Sequence, residues 1–527
     1  MVAAEDQIYL VGGGIASLAA AVFLIRDAGR AGSDVHIFEG SHVLGGSLDG
    51  AGDAESGYVV RGGRMFEEHF ACTFDLLDGI PTLSDPGTSA AEEIRSFTRR
   101  IVTSSRCRLV IDGRRVEAPE FGLSPTDRWR LLLLSQLPER LLGRRTISDF
   151  FSADFLATNF WTMWCTMFAF QPWHSVVEMR RYMRRFMHLL PGFNRLEGIH
   201  RTRLNQYDSV VEPVVRWLRE HDVRFHLNAP VTGVCFDEDA ERVTRIDWLE
   251  NGTAQAQAVS PGGKVLITLG SMTEASALGS MTEPPAFNPP VAHGAWALWR
   301  QIADRHPDFG RPENFAGEPR KTFWSSFTVT LHNPQFFQFM EAFTGNAAGT
   351  GGLVTFKHSG WLLSVVLAHQ PHFANQDPDT FVFWGYGLNP DRPGDAVRKP
   401  LVSCNGREIL TELAHHLQIT DRAAALFEDA ICIPCAMPYI TAQFMPRAAG
   451  DRPSVLPRRH GNFAFIGQFC ELPLDTVFTV EYSVRSAQEA VYGLCDLSRQ
   501  PRPLYSGYAK PRVVAAAART LLRNGRR

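Results

Sequence analysis

Ile8 to Glu39 reads IYLVGGGIASLAAAVFLIRDAGRAGSDVHIFE. Ile8 to Val11 is an apolar run with strand character. Gly12, Gly13 and Gly14 follow directly, and Ala16 to Ile25 carries small and aliphatic residues at helical density. Val35 to Phe38 is a second apolar run, ending on Glu39. The order is strand, glycine turn, helix, strand, acid. Such a turn lets backbone approach a pyrophosphate, the helix N-terminus offers N–H groups and a positive dipole end, and the acid accepts from a ribose hydroxyl. Gly12, Gly14, Ile15, Ala16, Ser17 and Glu39 are therefore candidate ligands of a dinucleotide. Ser17 stands where the usual pattern has its third glycine, and serine is small enough for close helix–strand packing.

Further glycines follow the acid. Gly45 and Gly46 precede Ser47, and Arg61-Gly62-Gly63-Arg64 closes a stretch begun at Gly57. Large FAD-binding folds place such pairs around the pyrophosphate and the isoalloxazine, whereas NAD-only domains do without them. The expected cofactor is FAD, and Gly45, Gly46, Ser47, Arg61, Gly62, Gly63 and Arg64 join its candidate ligands.

The totals set wider bounds. With 527 residues, the chain has room for two to four domains. A formal charge of -3 argues against a nucleic-acid surface. The 9 cysteines are odd in number and follow no signal peptide, so they read as reduced thiols of a cytoplasmic protein. Cys432-Ile-Pro-Cys435 has no second pair at zinc spacing and reads as structural, so no metal is expected. No apolar run reaches the roughly 18 residues of a membrane span.

Phe66 to Gly198 turns helical, with aromatics and arginines; Thr126 to Leu137 follows a Ser124-Pro125 start signal. Ser209 to Gly270 reads as helix, strand, β meander and a closing strand. Glu283 to Asp451 mixes strand-like runs with a helix at Arg407 to Leu417. The first fold resumes at Asn462–Gly467, and the helix from Thr479 turns its N-terminus, with Gly467 and Phe478, towards the cofactor. The expected class is α/β: a discontinuous Rossmann-like FAD-binding domain (1–64, 205–282, 452–498), an inserted mixed α+β substrate domain (65–204, 283–451) and a helical tail (499–527). The tail carries Lys510, Arg512, Arg519, Arg523, Arg526 and Arg527 around an apolar stretch. That pattern suits an anionic membrane surface and, equally, a solvated helix closing on the fold.

Several long segments carry a family resemblance: RGGRMFEEHF (61–70), EMRRYMRRF (178–186), NQYDS (205–209), HQPHF (369–373), FWGYGL (383–388), PYITAQFMPR (438–447) and FAFIGQFCELPLDTVFTVEYSVR (463–485). From about Ile8 to Tyr492 the chain resembles the oleate hydratases, FAD-containing fatty-acid double-bond hydratases once called myosin-cross-reactive antigens. The resemblance implies addition of water to the cis-9 double bond of oleic acid, giving 10-hydroxystearic acid without net redox. It places the proton-donating tyrosine at Tyr182, with Tyr207 as fallback. Family members commonly carry a water-activating glutamate where this chain has Met65, so Glu67 and Glu68 become the candidates for that role. The family's carboxylate anchors are a threonine, an asparagine and a histidine. Here His372 is kept, Val366 and Ala368 occupy the other two positions, and His369 is an added candidate. Larger members carry an N-terminal extension that helps pair subunits; the seven residues before Ile8 lean towards a monomer.

Two other readings fit the cofactor motifs. A flavin oxidoreductase of the amine-oxidase or desaturase type would reduce its flavin with substrate. A non-catalytic fatty-acid-binding flavoprotein would bind without turnover.

Overall fold

The computed structural model describes residues 6–63, 65–289, 291, 293–458 and 461–523. Arg64, expected among the cofactor ligands, lies outside them, as do Arg526 and Arg527 of the tail.

Ile8–Val11 is the central strand of a five-stranded parallel sheet in the order 463–466, 264–268, 8–11, 35–38, 224–226. All four of its residues are buried, which is why it reads as a continuous apolar run rather than an alternating one. The helix Ile15–Arg26 follows, buried over its first ten residues. Strands 35–38 and 264–268 flank the first strand on opposite sides, so chain order reverses there. Ligands of open α/β sheets bind outside the strand ends at such a point. The meander is also present, as three antiparallel strands spanning 231–258.

A second, eight-stranded sheet runs in the order 277–278, 431–437, 324–331, 381–387, 363–367, 353–356, 107–111, 114–117. Both sequence insertions therefore feed one sheet. Its own apolar core lies beneath the helices Gln335–Thr344 and Gly406–His416. The glycine-rich stretch after Glu39 contains a hairpin, Gly50–Asp53 with Gly57–Val60. Tyr58 and Val60 donate their N–H groups to Thr330 Oγ1 and Thr328 Oγ1 at 2.9 and 3.1 Å. This ties the segment leading into Gly62 and Gly63 to the second sheet.

Short helices accompany the sheets, among them Asn159–Phe168 and Val176–Arg185. The second carries EMRRYMRR, whose charges read in sequence as a solvated face. In the structure Glu178, Arg180, Arg181 and Arg185 are buried. Glu178 accepts from Arg447 and Arg452 at 2.9 and 3.1 Å, and Arg181 bridges Glu139 and Glu471 at 2.9 and 2.8 Å. The charges are internal because their partners, distant in sequence, are internal too. Removing one member strands a buried charge, at a cost of about 3–5 kcal/mol.

The tail is a helix, Pro511–Arg523, packed on 187–195 with Ala517 and Leu521 buried. Among the described residues no helix is long and apolar enough to cross a membrane. The nine cysteines are free, and Cys432 and Cys435 are buried.

Candidate active site

The glycine turn opens on a cavity of about 510 Å³ at the switch point. Gly12, Gly14, Ile15, Ala16, Glu39, Gly45, Gly46, Ser47, Arg61 and Gly467 line it. Gly12 and Gly45 have φ of +91° and +104°, which disfavours any side chain. At Gly13 a Cβ would stand 2.6 Å from Leu44 Cδ2 and 2.9 Å from Glu39 Oε2. Glu39 accepts from the N–H groups of Gly13 and Ser41 at 2.7 and 2.9 Å, so it clamps the turn to the following loop while facing the cavity. Arg61 is fixed by Asp49 at 2.7 Å. These features fit a dinucleotide: glycine backbone, a helix N-terminus, an acid and an arginine around one elongated cavity.

Some expected ligands lie elsewhere. Ser17 is fully buried beneath the turn, its hydroxyl 3.3 Å from Thr268 Oγ1, and packs helix on strand. Gly62, Gly63, Phe478 and Thr479 line two other chambers. Asp49, Gln468 and Ser483 line the large cavity without having been singled out in sequence. Nothing local marks them, since their placement depends on strands brought together from the two ends of the chain.

The first of the other chambers, of about 70 Å³, is walled by Gly63, Met65, Glu67, Phe168, Tyr182, Phe186, Phe478 and Thr479, among others. Tyr182 is buried and donates its hydroxyl to the Val477 carbonyl at 2.6 Å. The flanking arginines turn away from the phenol. Arg180 and Arg181 bind Glu139, and Arg184 lies 3.5 Å over the Tyr508 ring. Arg185 donates to the His69 carbonyl at 3.0 Å. They hold the helix rather than the hydroxyl.

Glu67 is 1 % exposed. Its Oε2 accepts from the His69 N–H at 2.9 Å and lies 2.9 and 3.3 Å from His69 Nδ1 and His188 Nε2, with Arg185 3.7 Å from Oε1. Burial alone would raise this carboxyl, but hydrogen bonding to His188, the Arg185 charge and His69 outweigh it and hold it at about 2. Glu67, His69 and His188 are spaced as metal ligands would be, yet Arg185 already supplies a cation beside them. Oε1 has no hydrogen-bond partner. The His69 ring is stacked at 3.5 Å under Tyr505 of the tail. Glu68 is exposed and lies outside the chamber, so the structure separates the two adjacent glutamates. Tyr207 is also outside; its hydroxyl donates to Glu212 at 3.1 Å, and burial and that neighbour push it up to about 12.

Gly63 also belongs to a smaller chamber of about 40 Å³, walled by Arg201, Thr202, Gln206, Val366, Ala368, His369, His372 and Trp384 among others. His369 and His372 are thus brought together. Burial, with the Arg201 and His369 charges, lowers His372 to about 4, so its ring is neutral at pH 7. On the far side, Met167, Phe168, Phe186 and Leu189 are shared with an apolar chamber of about 70 Å³. There Val514, Ala517, Ala518 and Leu521 of the tail helix form one wall. A polar chamber, the Tyr182 chamber and an apolar chamber therefore follow in series.

The fold and cradle define a large Rossmann-like α/β protein. Cyclohexylamine oxidase from Brevibacterium oxydans IH-35A aligns over 94% of this chain and 100% of its own, with TM-score 0.54 at 14% identity. A putrescine oxidase mutant redesigned in its cofactor binding aligns over 94% and 99%, with TM-score 0.52 at 13% identity. At such identities the likeness is one of fold. In sequence, the MCRA family matches residues 5–492, so the chain belongs to the MCRA family. An oleate hydratase of Streptococcus pyogenes serotype M49 (strain NZ131) is 40% identical, over 96% of this chain and 88% of its own. A linoleate hydratase of Lactiplantibacillus plantarum is 32% identical, over 93% of each. The chain is accordingly an enzyme of the hydratase type.

Proposed function

We propose that the chain adds water across the double bond of a long-chain unsaturated fatty acid, oleic acid giving 10-hydroxystearic acid, with FAD as its cofactor. The observation carrying this reading is the shared chamber: Tyr182 and Glu67 wall one small, otherwise apolar space between a polar chamber and an apolar one. The series suits a carboxylate at one end, an alkene at the middle and a methyl end beyond. The five-stranded sheet would carry the cofactor and the eight-stranded sheet, with its helices, the substrate.

An isolated alkene has no carbonyl to polarise, so hydration passes through a carbocation-like centre. The Tyr182 phenol gives its proton to one alkene carbon. Water held by Glu67 bonds through oxygen to the other carbon, then releases a proton to the carboxylate. The proton returns to the tyrosinate through solvent, closing the cycle as alkene plus water to alcohol. A carboxylate at about 2 is a weak base, but a protonated alcohol is a strong acid and needs no more. Phe168 and Phe186 present aromatic rings in the same chamber, and such faces stabilise developing positive charge. Met65 neither accepts a proton nor holds water, so the base is assigned to Glu67. Bound FAD would be held by Gly12–Ala16, Glu39, Gly45–Ser47, Arg61 and Gly467. It supplies a planar, polarisable ring system and no net electrons, because the addition balances without redox change.

Tyr182→Phe tests the assignment. Hydration of oleate should fall at least about 100-fold with FAD content unchanged; full activity would move the acid elsewhere. The amine-oxidase architecture also suits a substrate oxidase, which would instead consume an electron acceptor.

A further inference from the structure

Resting on the reading above, we infer that Arg201 is the charge partner of the substrate's carboxylate, standing in for the two polar anchors missing at Val366 and Ala368. Arg201 lines the polar chamber together with His369 and His372. It has no ion-pair partner among the described residues, its Nε is buried without a hydrogen-bond partner, and burial pushes it down to about 10. It remains a cation at neutral pH. Buried arginines elsewhere are matched, as Arg452 and Arg447 are by Glu178 and Arg108 by the carbonyls of Phe193 and Met163. Arg201 is half-buried and lines the chamber, and a partly desolvated cation without a partner is costly; an anion entering the chamber lowers that cost.

The surroundings fit an anion of carboxylate size. His369 Nδ1 and Trp384 Nε1 are likewise buried without partners in the same wall. Gly352 makes room for the guanidinium, since a Cβ there would stand 2.9 Å from Arg201 Nη2. Two further arginines act on His369 electrostatically, but Arg203 is paired with Glu93 at 3.1 Å and Arg100 is exposed. Among the described residues no carboxylate lines the chamber. A planar guanidinium binds a carboxylate through paired N–H donors, which threonine or asparagine does less strongly.

The test compares acids with alcohols of the same chain. In the full-length, FAD-loaded protein, calorimetry with stearate and stearyl alcohol reads binding without turnover. Wild type should bind stearate about 10–100-fold more tightly, a preference that Arg201→Gln removes and Arg201→Lys partly keeps. In turnover, Arg201→Gln should raise KM for oleate by a similar factor and leave oleyl alcohol within about twofold. Equal binding of acid and alcohol by wild type overturns the inference even if the variant does not fold, as does an unchanged preference in Arg201→Gln. Tight stearate binding with no hydration of oleate would instead sink the hydratase reading and leave the anchor standing.

Discussion

At the scale of single residues, the decisive contrast is between Glu67 and Glu68. They are adjacent and chemically alike, yet one is buried against His69, His188 and Arg185 and the other is exposed. Glu67→Gln should lower hydration at least about 100-fold, whereas Glu68→Gln should stay within twofold, both read as initial rates with oleate. Glu67 also couples stability to pH. Its carboxyl sits at about 2 in the fold against an ordinary value of 4.5. The unfolded chain therefore binds the extra proton between those values. The stabilisation is full above about pH 4.5 and is lost as pH falls through about 2, amounting to on the order of 3 kcal/mol. Acid unfolding of Glu67→Gln against wild type measures it; identical acid midpoints would contradict it. The family resemblance, with its glutamate replaced here by Met65, narrowed the candidates for the base to these two residues. It could not choose, because the choice depends on which way the chain turns after Gly63. Arg201 was invisible for a related reason: an arginine next to Thr202 and Arg203 reads as surface until the fold shows that, among the described residues, no acid pairs with it or lines its chamber.

Among elements, the glycine turn was legible because its whole logic is local: strand, turn and helix are contiguous, with Gly12 required by its positive φ and Gly13 by the close approach of Leu44 and Glu39. The helix Val176–Arg185 was not, since its burial depends on Glu139, Arg447, Arg452 and Glu471 arriving from distant segments. The tail helix was open between membrane contact and closure on the fold; it lies packed over 187–195 and walls the apolar chamber. On the proposed reading, that position makes it a determinant of chain length. Ala518→Phe should fill the space for the methyl end, lowering kcat/KM for eighteen-carbon oleate about 10-fold or more while sparing a fourteen-carbon cis-9 acid. Parallel loss on both substrates would show that the methyl end lies elsewhere.

Taken whole, the molecule sets a Rossmann-like cradle beside the small chamber that Tyr182 and Glu67 wall. The cradle alone suggested hydride chemistry. The combination of Tyr182, Glu67 and flanking aromatic rings, with polar and apolar chambers on either side, points to addition of water instead. The direct measurement is mass spectrometry of oleate incubated with the FAD-loaded protein in 18O-water, with the flavin spectrum followed through turnover. The account predicts a hydroxy acid heavier by one labelled water and a flavin whose redox state is the same before and after. A product without the label, or one formed only as the flavin is reduced and an acceptor consumed, would contradict it.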